Sequence, residues 1–320
     1  MSSEMQIRSM VDADHPLVIR LLARSLGRDQ DARFEALFRW KHVDNHFGRS
    51  PAWVAEIDGE LAGFRTFARW RLESPDRSIE AARAVDTATD PAHQGRGVFR
   101  TLTLAAVDEL RAEGVDLIFN TPNDQSRPGY LKMGWTEIGK VPIRARFRSL
   151  HGVSRAVRSR VAAGHWGEPD TPGMSPQEAF ADPRFDDLLA SLPMDRHLRT
   201  PRSSSYLRWR YGLPAMEYRV VTAGGDPREG ACVFRVRQRG TAREATIDEV
   251  LVPDEVLGPD LVRAVLRRTT ADFAVAMGRL PGDRMVPLPG AGPTLTGRAV
   301  CSAVPALDQW ALSLGDIESF

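Results

Sequence analysis

The run Gln94-Gly95-Arg96-Gly97 is where this sequence first offers chemistry. It follows small and β-branched residues, Ala84 to Thr89, closed by the turn signal Asp90-Pro91, and it precedes apolar residues at helical spacing: Val98, Leu102, Ala105, Ala106 and Leu110. Two glycines on a loop that feeds a helix N-terminus leave backbone N–H groups unpaired at the positive end of the helix dipole, and no Cβ obstructs an anion. The pattern predicts a phosphate site over Gln94 to Arg100. A dinucleotide fingerprint is excluded because its third glycine would stand at Arg100, and a Walker loop because no Gly-Lys-Ser/Thr follows. Val115 to Asn120 reads as the next strand. After it Asn123, Ser126 and Tyr130 recur at three- and four-residue intervals ahead of Gly134-Trp135, with Pro128 suited to a first helical turn. That spacing puts an amide, a hydroxyl and a phenol on one helical face.

In this order the strand, Gln94-x-x-Gly97, helix, strand and Asn123-x-x-Ser126-x-x-x-Tyr130-x-x-x-Gly134-Trp135 resemble the acetyl-CoA-binding core of the GNAT superfamily of N-acyltransferases, over residues 5 to 145. The resemblance implies an α/β fold with a mixed sheet, acetyl-CoA as cosubstrate and no metal. In that scheme Gln94, Gly95, Arg96, Gly97, Val98, Phe99 and Arg100 hold the pyrophosphate, with Arg96 or Arg100 adding charge-assisted hydrogen bonds. The strand Thr87-Ala88-Thr89 splays from its neighbour, and its free backbone groups bind the pantetheine arm and polarise the thioester carbonyl. Asn123, with Ser126 beside it, orients the pantetheine. Tyr130 donates a proton to the departing thiolate, its phenol, with a pKa of about 10, being protonated at neutral pH. Phe99 departs from the family pattern, which has Gly or Ala there, so the pyrophosphate pocket is expected to be slightly reshaped, with the backbone donors remaining. The base that neutralises the acceptor is open among Asp86, Glu56, His42 and His46, acting directly or through water. Some multidomain members place a C-terminal carboxylate in the active site, which would be that of Phe320.

The first functional reading is therefore an N-acetyltransferase that acts on a small-molecule primary amine, such as an amino sugar or a biosynthetic intermediate. The alternatives are a catalytically silent acyl-CoA-binding protein and a protein-modifying acetyltransferase. Retention of Tyr130 favours an enzyme, because a pure binder needs no proton donor at the sulfur. Composition narrows the partners. With 43 basic against 42 acidic residues, no net field recruits nucleic acid or an anionic membrane. All but three of the basic residues are arginine, the lysines being Lys41, Lys132 and Lys140. Cys232 and Cys301 are isolated, which fits a reducing compartment and argues against a disulfide framework or a zinc site. His42 and His46 are four apart, but Asn45 and Gly48 favour a turn, and no third ligand is apparent. The N-terminus lacks an apolar signal region, and no run of eighteen apolar residues occurs, so a soluble, cytoplasmic monomer or homodimer is expected.

The elements that must position these groups follow from the same pattern. Met5 to Met10 alternates like a strand, His15 to Leu26 and Ala32 to His42 have helical spacing, and Ala52 to Ile57 and Leu61 to Trp70 flank Asp58-Gly59 as a hairpin. Thr136 to Phe147 is again extended. Arg144 to Arg160 is arginine-rich, its end reading as an amphipathic connector, and Gly164 to Ser175 as an interdomain linker. Beyond it the chain echoes itself. Phe38-Arg39-Trp40-Lys41 returns as Leu207-Arg208-Trp209-Arg210, Gly63-Phe64-Arg65 as Val233-Phe234-Arg235, and Asp86 as Asp248, whereas Gln-x-x-Gly-x-Gly does not return between Pro253 and Leu261. The expected organisation is a catalytic domain over residues 1–148, a connector and linker over 149–175, and a degenerate GNAT-like half over 176–320 in tandem.

Overall fold

A computed structural model describes residues 4–27, 30–159, 161–278, 280–282 and 284–317; the expectations placed on Arg160 and Phe320 lie outside the described residues. The strands are β1 (Met5–Ser9), β2 (Ala52–Ile57), β3 (Glu60–Ser74), β4 (Arg77–Thr89), β5 (Leu117–Asn120), β6 (Thr136–Lys140), β7 (Ile143–Phe147), β8 (Arg219–Thr222), β9 (Ala231–Arg239), β10 (Ala242–Leu251), β11 (Phe273–Met277), β12 (Val286–Leu288) and β13 (Thr294–Ala299). Two compact units result, residues 1–72, 77–139 and 294–306, and residues 73–76, 140–293 and 307–320.

The first unit is a seven-stranded mixed sheet in the order β1-β2-β3-β4-β5-β13-β6. The Asp58-Gly59 hairpin forms as predicted, both residues having positive φ (54° and 80°), as a two-residue turn matched to strand twist requires. Helices α1 (His15–Leu26) and α2 (Ala32–Phe38) precede β2, and α3 (Val98–Ala112) follows β4. One edge of α3, Leu102, Ala106 and Leu110, is buried with Trp53, Phe67, Ala82 and Ile118. Burying each large apolar side chain there contributes roughly 1.5–3 kcal/mol. Gly63 permits this packing, since a Cβ on it would lie 2.4 Å from Val98 Cγ1.

The second unit carries α5 (Leu150–Arg158), α6 (Pro176–Ala179), α7 (Arg184–Ser191), α8 (Ser204–Tyr211) and α9 (Gly258–Arg268); α4 (Arg127–Lys132) belongs to the first. Its sheet reads β8-β9-β10-β11-β7-β12. This is the order β2-β3-β4-β5-β13-β6 again, with β10 parallel to β11 as β4 is to β5, and β7 antiparallel to β11 as β13 is to β5. The tandem repeat therefore exists, but each sheet takes one strand from the other half of the chain.

That exchange moves the boundary expected at residue 148. The run Thr136 to Phe147 is two strands, and β7 pairs in the second sheet with Ile143 opposite Met277, while β13 joins the first sheet with Thr296 opposite Asn120. Alternation has the same period on both sides of Val141-Pro142, so it carries no information about which sheet a strand enters. The stretch expected as a linker is also tied down. Gly164 N–H donates to Gln238 O (2.7 Å), Glu168 N–H to Val236 O (2.8 Å) and Met174 N–H to Val220 O (3.0 Å). Among the described residues no helix is long and apolar enough to cross a membrane.

Candidate active site

β4 and β5 pair in parallel only over Ala81–Arg83 against Leu117–Phe119. β4 then continues to Thr89 beyond its pairing with β5, with Thr87 and Thr89 partly exposed and Ala88 buried. The loop beyond it turns through Gly95 (φ 76°) and Gly97 (φ 78°), both left-handed, and Gly97 is the N-cap of α3. The first helical hydrogen bond runs from Thr101 N–H to Gly97 O (2.9 Å), which leaves the amides of Val98, Phe99 and Arg100 at the open end of the helix. Gln94, Gly95, Arg96 and Gly97 are exposed. These are the donors and the geometry an anion needs.

Phe99 leaves the backbone donor in place, as expected. Its ring turns inward and packs edge-on against Tyr130, with centroids 5.4 Å apart, so its bulk joins the core and its amide stays available. Asn123 and Ser126 lie ahead of α4 and not on its face. Asn123 Oδ1 accepts from Ser126 N–H and Oγ–H, both at 2.9 Å, which closes the turn into α4 and leaves the exposed Asn123 amide NH2 pointing outward. Tyr130 sits within α4, buried, and its Oη accepts a hydrogen bond from Arg65 Nη1 (2.8 Å). With that lone pair engaged, the phenol's own proton is free to be donated elsewhere. Arg65 is fully buried on β3, its guanidinium 4.2 Å from the Phe67 ring centre and 5.4 Å from that of Tyr130. Its Nε and Nη2 are without a hydrogen-bond partner among the described residues.

Asp86 lies on the far part of β4 with a positive φ of 28°, a conformation that costs of order 1–3 kcal/mol in a non-glycine residue. Its carboxylate is held from above. After α2 the chain widens into a π turn at Arg39–Val43, and this brings two consecutive side chains onto one oxygen: Lys41 Nζ at 2.9 Å and His42 Nε2 at 2.7 Å from Asp86 Oδ2. His42 Nδ1 in turn faces Ser50 Oγ at 3.1 Å, and Ser50 N–H donates to the His42 carbonyl (2.8 Å). Burial alone would raise the Asp86 pKa, but the Lys41 charge and the His42 hydrogen bond overcome it and hold the carboxyl well below the carboxylate range. Burial lowers the His42 pKa and Lys41 lowers it further, against the pull of Asp86, so the imidazole is neutral at pH 7. Asp86 is therefore an ion-paired carboxylate, poorly suited to take a proton directly. Glu56 is also engaged, accepting from Arg8 Nε (3.1 Å), and His46 is exposed within the turn that Gly48 N–H closes on Asn45 O (3.0 Å).

A cavity of about 920 Å³ in the first unit opens beside this group, lined by His42 and Ser50 and by residues of α1, α2, β1 and β2. Four carboxylates line it, Asp12, Glu35, Glu109 and Glu113, against the guanidinium groups of Arg39 and Arg49. Three residues here escaped sequence reasoning as functional. Lys41 and Arg65 lay inside the repeated segments, which was a signal that they hold something buried; Ser50 had none.

The second unit keeps the frame and loses the anion site. Asp248, fully buried, stands at the bulge in β10 where pairing with β9 skips from Ile247 to Glu249, and it interacts electrostatically with the buried Arg210. Arg235, fully buried on β9, stacks on Tyr218 at 5.2 Å. The N-terminus of α9, however, is preceded by Asp254 and Glu255, with Asp254 already accepting from Val256 N–H, and a Cβ on Gly258 would lie 2.2 Å from Pro281 O. Carboxylates and packed backbone stand where the first unit presents open amides.

Residues 6–138 match the family model described as an acetyltransferase (GNAT) domain. No curated protein sequence matches the chain. Among solved structures the chain is similar to a GCN5-related N-acetyltransferase from Kribbella flavida, at 16% identity over 94% of this chain and 72% of that one, with a TM-score of 0.63. It is similar to another from Anabaena variabilis ATCC 29413, at 13% identity over 93% and 73% with a TM-score of 0.63. A third is Eis1 from Mycobacterium abscessus, at 16% identity over 93% and 74% with a TM-score of 0.58. At such identities the likeness concerns the fold, and it spans both units. Residues 6–138 thus match a GNAT acetyltransferase domain, within a chain that has the GNAT fold.

Proposed function

We propose that this protein is an N-acetyltransferase that moves an acetyl group from acetyl-CoA to a primary amine of a small molecule, by direct attack in a ternary complex in the first unit. The reading rests on one observation: β4 runs on without β5 beyond Arg83, and the loop after it leaves the amides of Val98, Phe99 and Arg100 at the open end of α3. A pantetheine arm pairs with the backbone of Thr87 to Thr89, and the diphosphate meets the helix N-terminus, with Arg96 and Arg100 near enough in sequence to add charge. The Asn123 amide reaches the arm from the other side. Tyr130, its oxygen held by Arg65, gives its proton to the leaving thiolate, and the buried guanidinium stabilises the phenolate that results.

The cavity supports this acceptor class. A volume of about 920 Å³ suits a small molecule, and its excess of carboxylates favours a cationic amine. The second unit, with its α9 N-terminus occupied, serves as scaffold. The test is thiol release from acetyl-CoA with glucosamine and 1,4-diaminobutane as acceptors. Amine-dependent release is expected. CoA binding with no release above the rate of spontaneous hydrolysis identifies a binding protein and refutes the enzyme.

A further inference from the structure

With acetyl transfer assigned to the first unit, neither carboxylate expected to take the acceptor's proton is placed to do so directly, because Asp86 is ion-paired and Glu56 is engaged by Arg8. One chain of groups leads from the cavity to a buried proton acceptor. Ser50 Oγ lines the cavity, lies 3.1 Å from His42 Nδ1, and His42 Nε2 lies 2.7 Å from Asp86 Oδ2. We propose that Ser50 is the catalytic residue that takes the proton from the acceptor's ammonium group, passing its own hydroxyl proton to His42, with Asp86 positioning the imidazole.

The hydrogen-bond inventory fixes the directions. An ionised Asp86 only accepts, so the neutral imidazole carries its proton on Nε2, and the bare Nδ1 accepts from the Ser50 hydroxyl. When the ammonium gives up its proton, one O–H bond of Ser50 forms as the other breaks, and His42 becomes an imidazolium between Asp86 and Ser50. The free amine then attacks the thioester carbonyl. As the C–S bond breaks, Tyr130 gives its proton to the thiolate, and the phenolate recovers a proton from the nitrogen, which becomes the neutral amide. Each turnover thus yields the amide, the thiol and one proton that His42 returns to solvent.

The local charges suit this task. The charged groups that face His42 are Asp86 from β4 and Lys41 from the π turn; across the cavity His15 of α1 and Glu35 of α2 pair with each other. Burial, with Lys41 adding to it, keeps the resting imidazole neutral, and Lys41 keeps Asp86 ionised, so the relay starts with an empty acceptor site. Backbone geometry locks the register, because the Ser50 amide donates to the His42 carbonyl whatever side chain Ser50 carries.

The inference rests on the acetyltransferase reading, and the experiment separates the two. With full-length protein, acetyl-CoA and the amine probe that supports thiol release, Ser50→Ala is expected to lower kcat about 100-fold, in the range of general-base effects, without changing CoA affinity. Ser50→Thr keeps a hydroxyl and is expected to recover most of the rate. The wild-type kcat/KM should rise with pH through a midpoint below 6.5, the ordinary imidazole value, and His42→Gln should abolish that limb. An active wild type with a Ser50→Ala variant at parental rate overturns the relay alone. So does a folded, CoA-binding Ser50→Thr variant as slow as Ser50→Ala, or an acid limb that persists in His42→Gln. A wild type that acetylates neither probe removes the acetyltransferase reading and the relay together.

Discussion

Neutralising one partner of the Lys41–Asp86 pair is the perturbation whose size the structure fixes best. The charged atoms are 2.9 Å apart and the two side chains are only 7% and 12% exposed. At an effective dielectric constant of about 20, charges at that distance attract by about 6 kcal/mol, and desolvation offsets part of it. Removing one charge leaves the other buried and unmatched, so Asp86→Asn, which preserves shape, should destabilise the first unit by about 3–5 kcal/mol. Lys41→Met should cost a similar amount, and the double variant should recover about 2–3 kcal/mol of the combined loss, as a coupled pair does. Urea unfolding followed by tryptophan fluorescence reads this directly, because Trp40, Trp53, Trp70 and Trp135 all belong to the first unit. The pH dependence has a defined sign. The Asp86 carboxyl is lowered in the fold from 3.8, so its stabilisation is complete above that value and is lost as pH falls through the folded value. His42 is lowered from 6.5, and its contribution likewise shrinks as pH drops below 6.5. Stability should therefore decline from about pH 6.5 downward and most steeply in strong acid, and Asp86→Asn should remove the steeper part. An Asp86→Asn cost under about 1 kcal/mol, or strictly additive single costs, would falsify the view that the two charges neutralise each other in a dry site.

Two further outcomes are expected. Tyr130→Phe should lower kcat by about 100-fold while CoA affinity stays unchanged, since only the proton donor is lost; equal losses in binding and turnover would make Tyr130 structural. Gly97→Ala finds room, the nearest atom being Thr101 Oγ1 at 4.0 Å, but it meets a φ of 78°. It should destabilise the first unit by about 1–2 kcal/mol and weaken CoA binding about tenfold by disturbing amides that meet the diphosphate, and calorimetry on a folded variant would show either.

Much of this site was legible because its physics is local. Glycines at 95 and 97 adopt left-handed backbone conformations, and a helix starts at Val98, so this glycine loop could be placed from spacing alone. The hairpin at Asp58-Gly59 was legible for the same reason. What stayed hidden was long-range. Period-two alternation could not tell that β7 leaves one sheet for the other, nor that β13 crosses back to pair with β5. The helical pattern over Ala32 to His42 could not show that its last turn widens to five residues per hydrogen bond, which is what aims Lys41 and His42 at the same oxygen. Phe99 looked like an intrusion on the phosphate loop because the sequence does not show that Gly129 leaves space for its ring. Asp86 was legible as important but not as ion-paired, and Ser50 became visible only when the fold set it against His42.

The most direct measurement is calorimetric titration of CoA into the full-length protein. A nucleotide thioester held at the N-terminus of α3, and carboxylates filling the equivalent place at α9, predict one CoA per chain, with binding weakened by Gly97→Ala. Failure to bind CoA, or two equivalent sites per chain, contradicts the account.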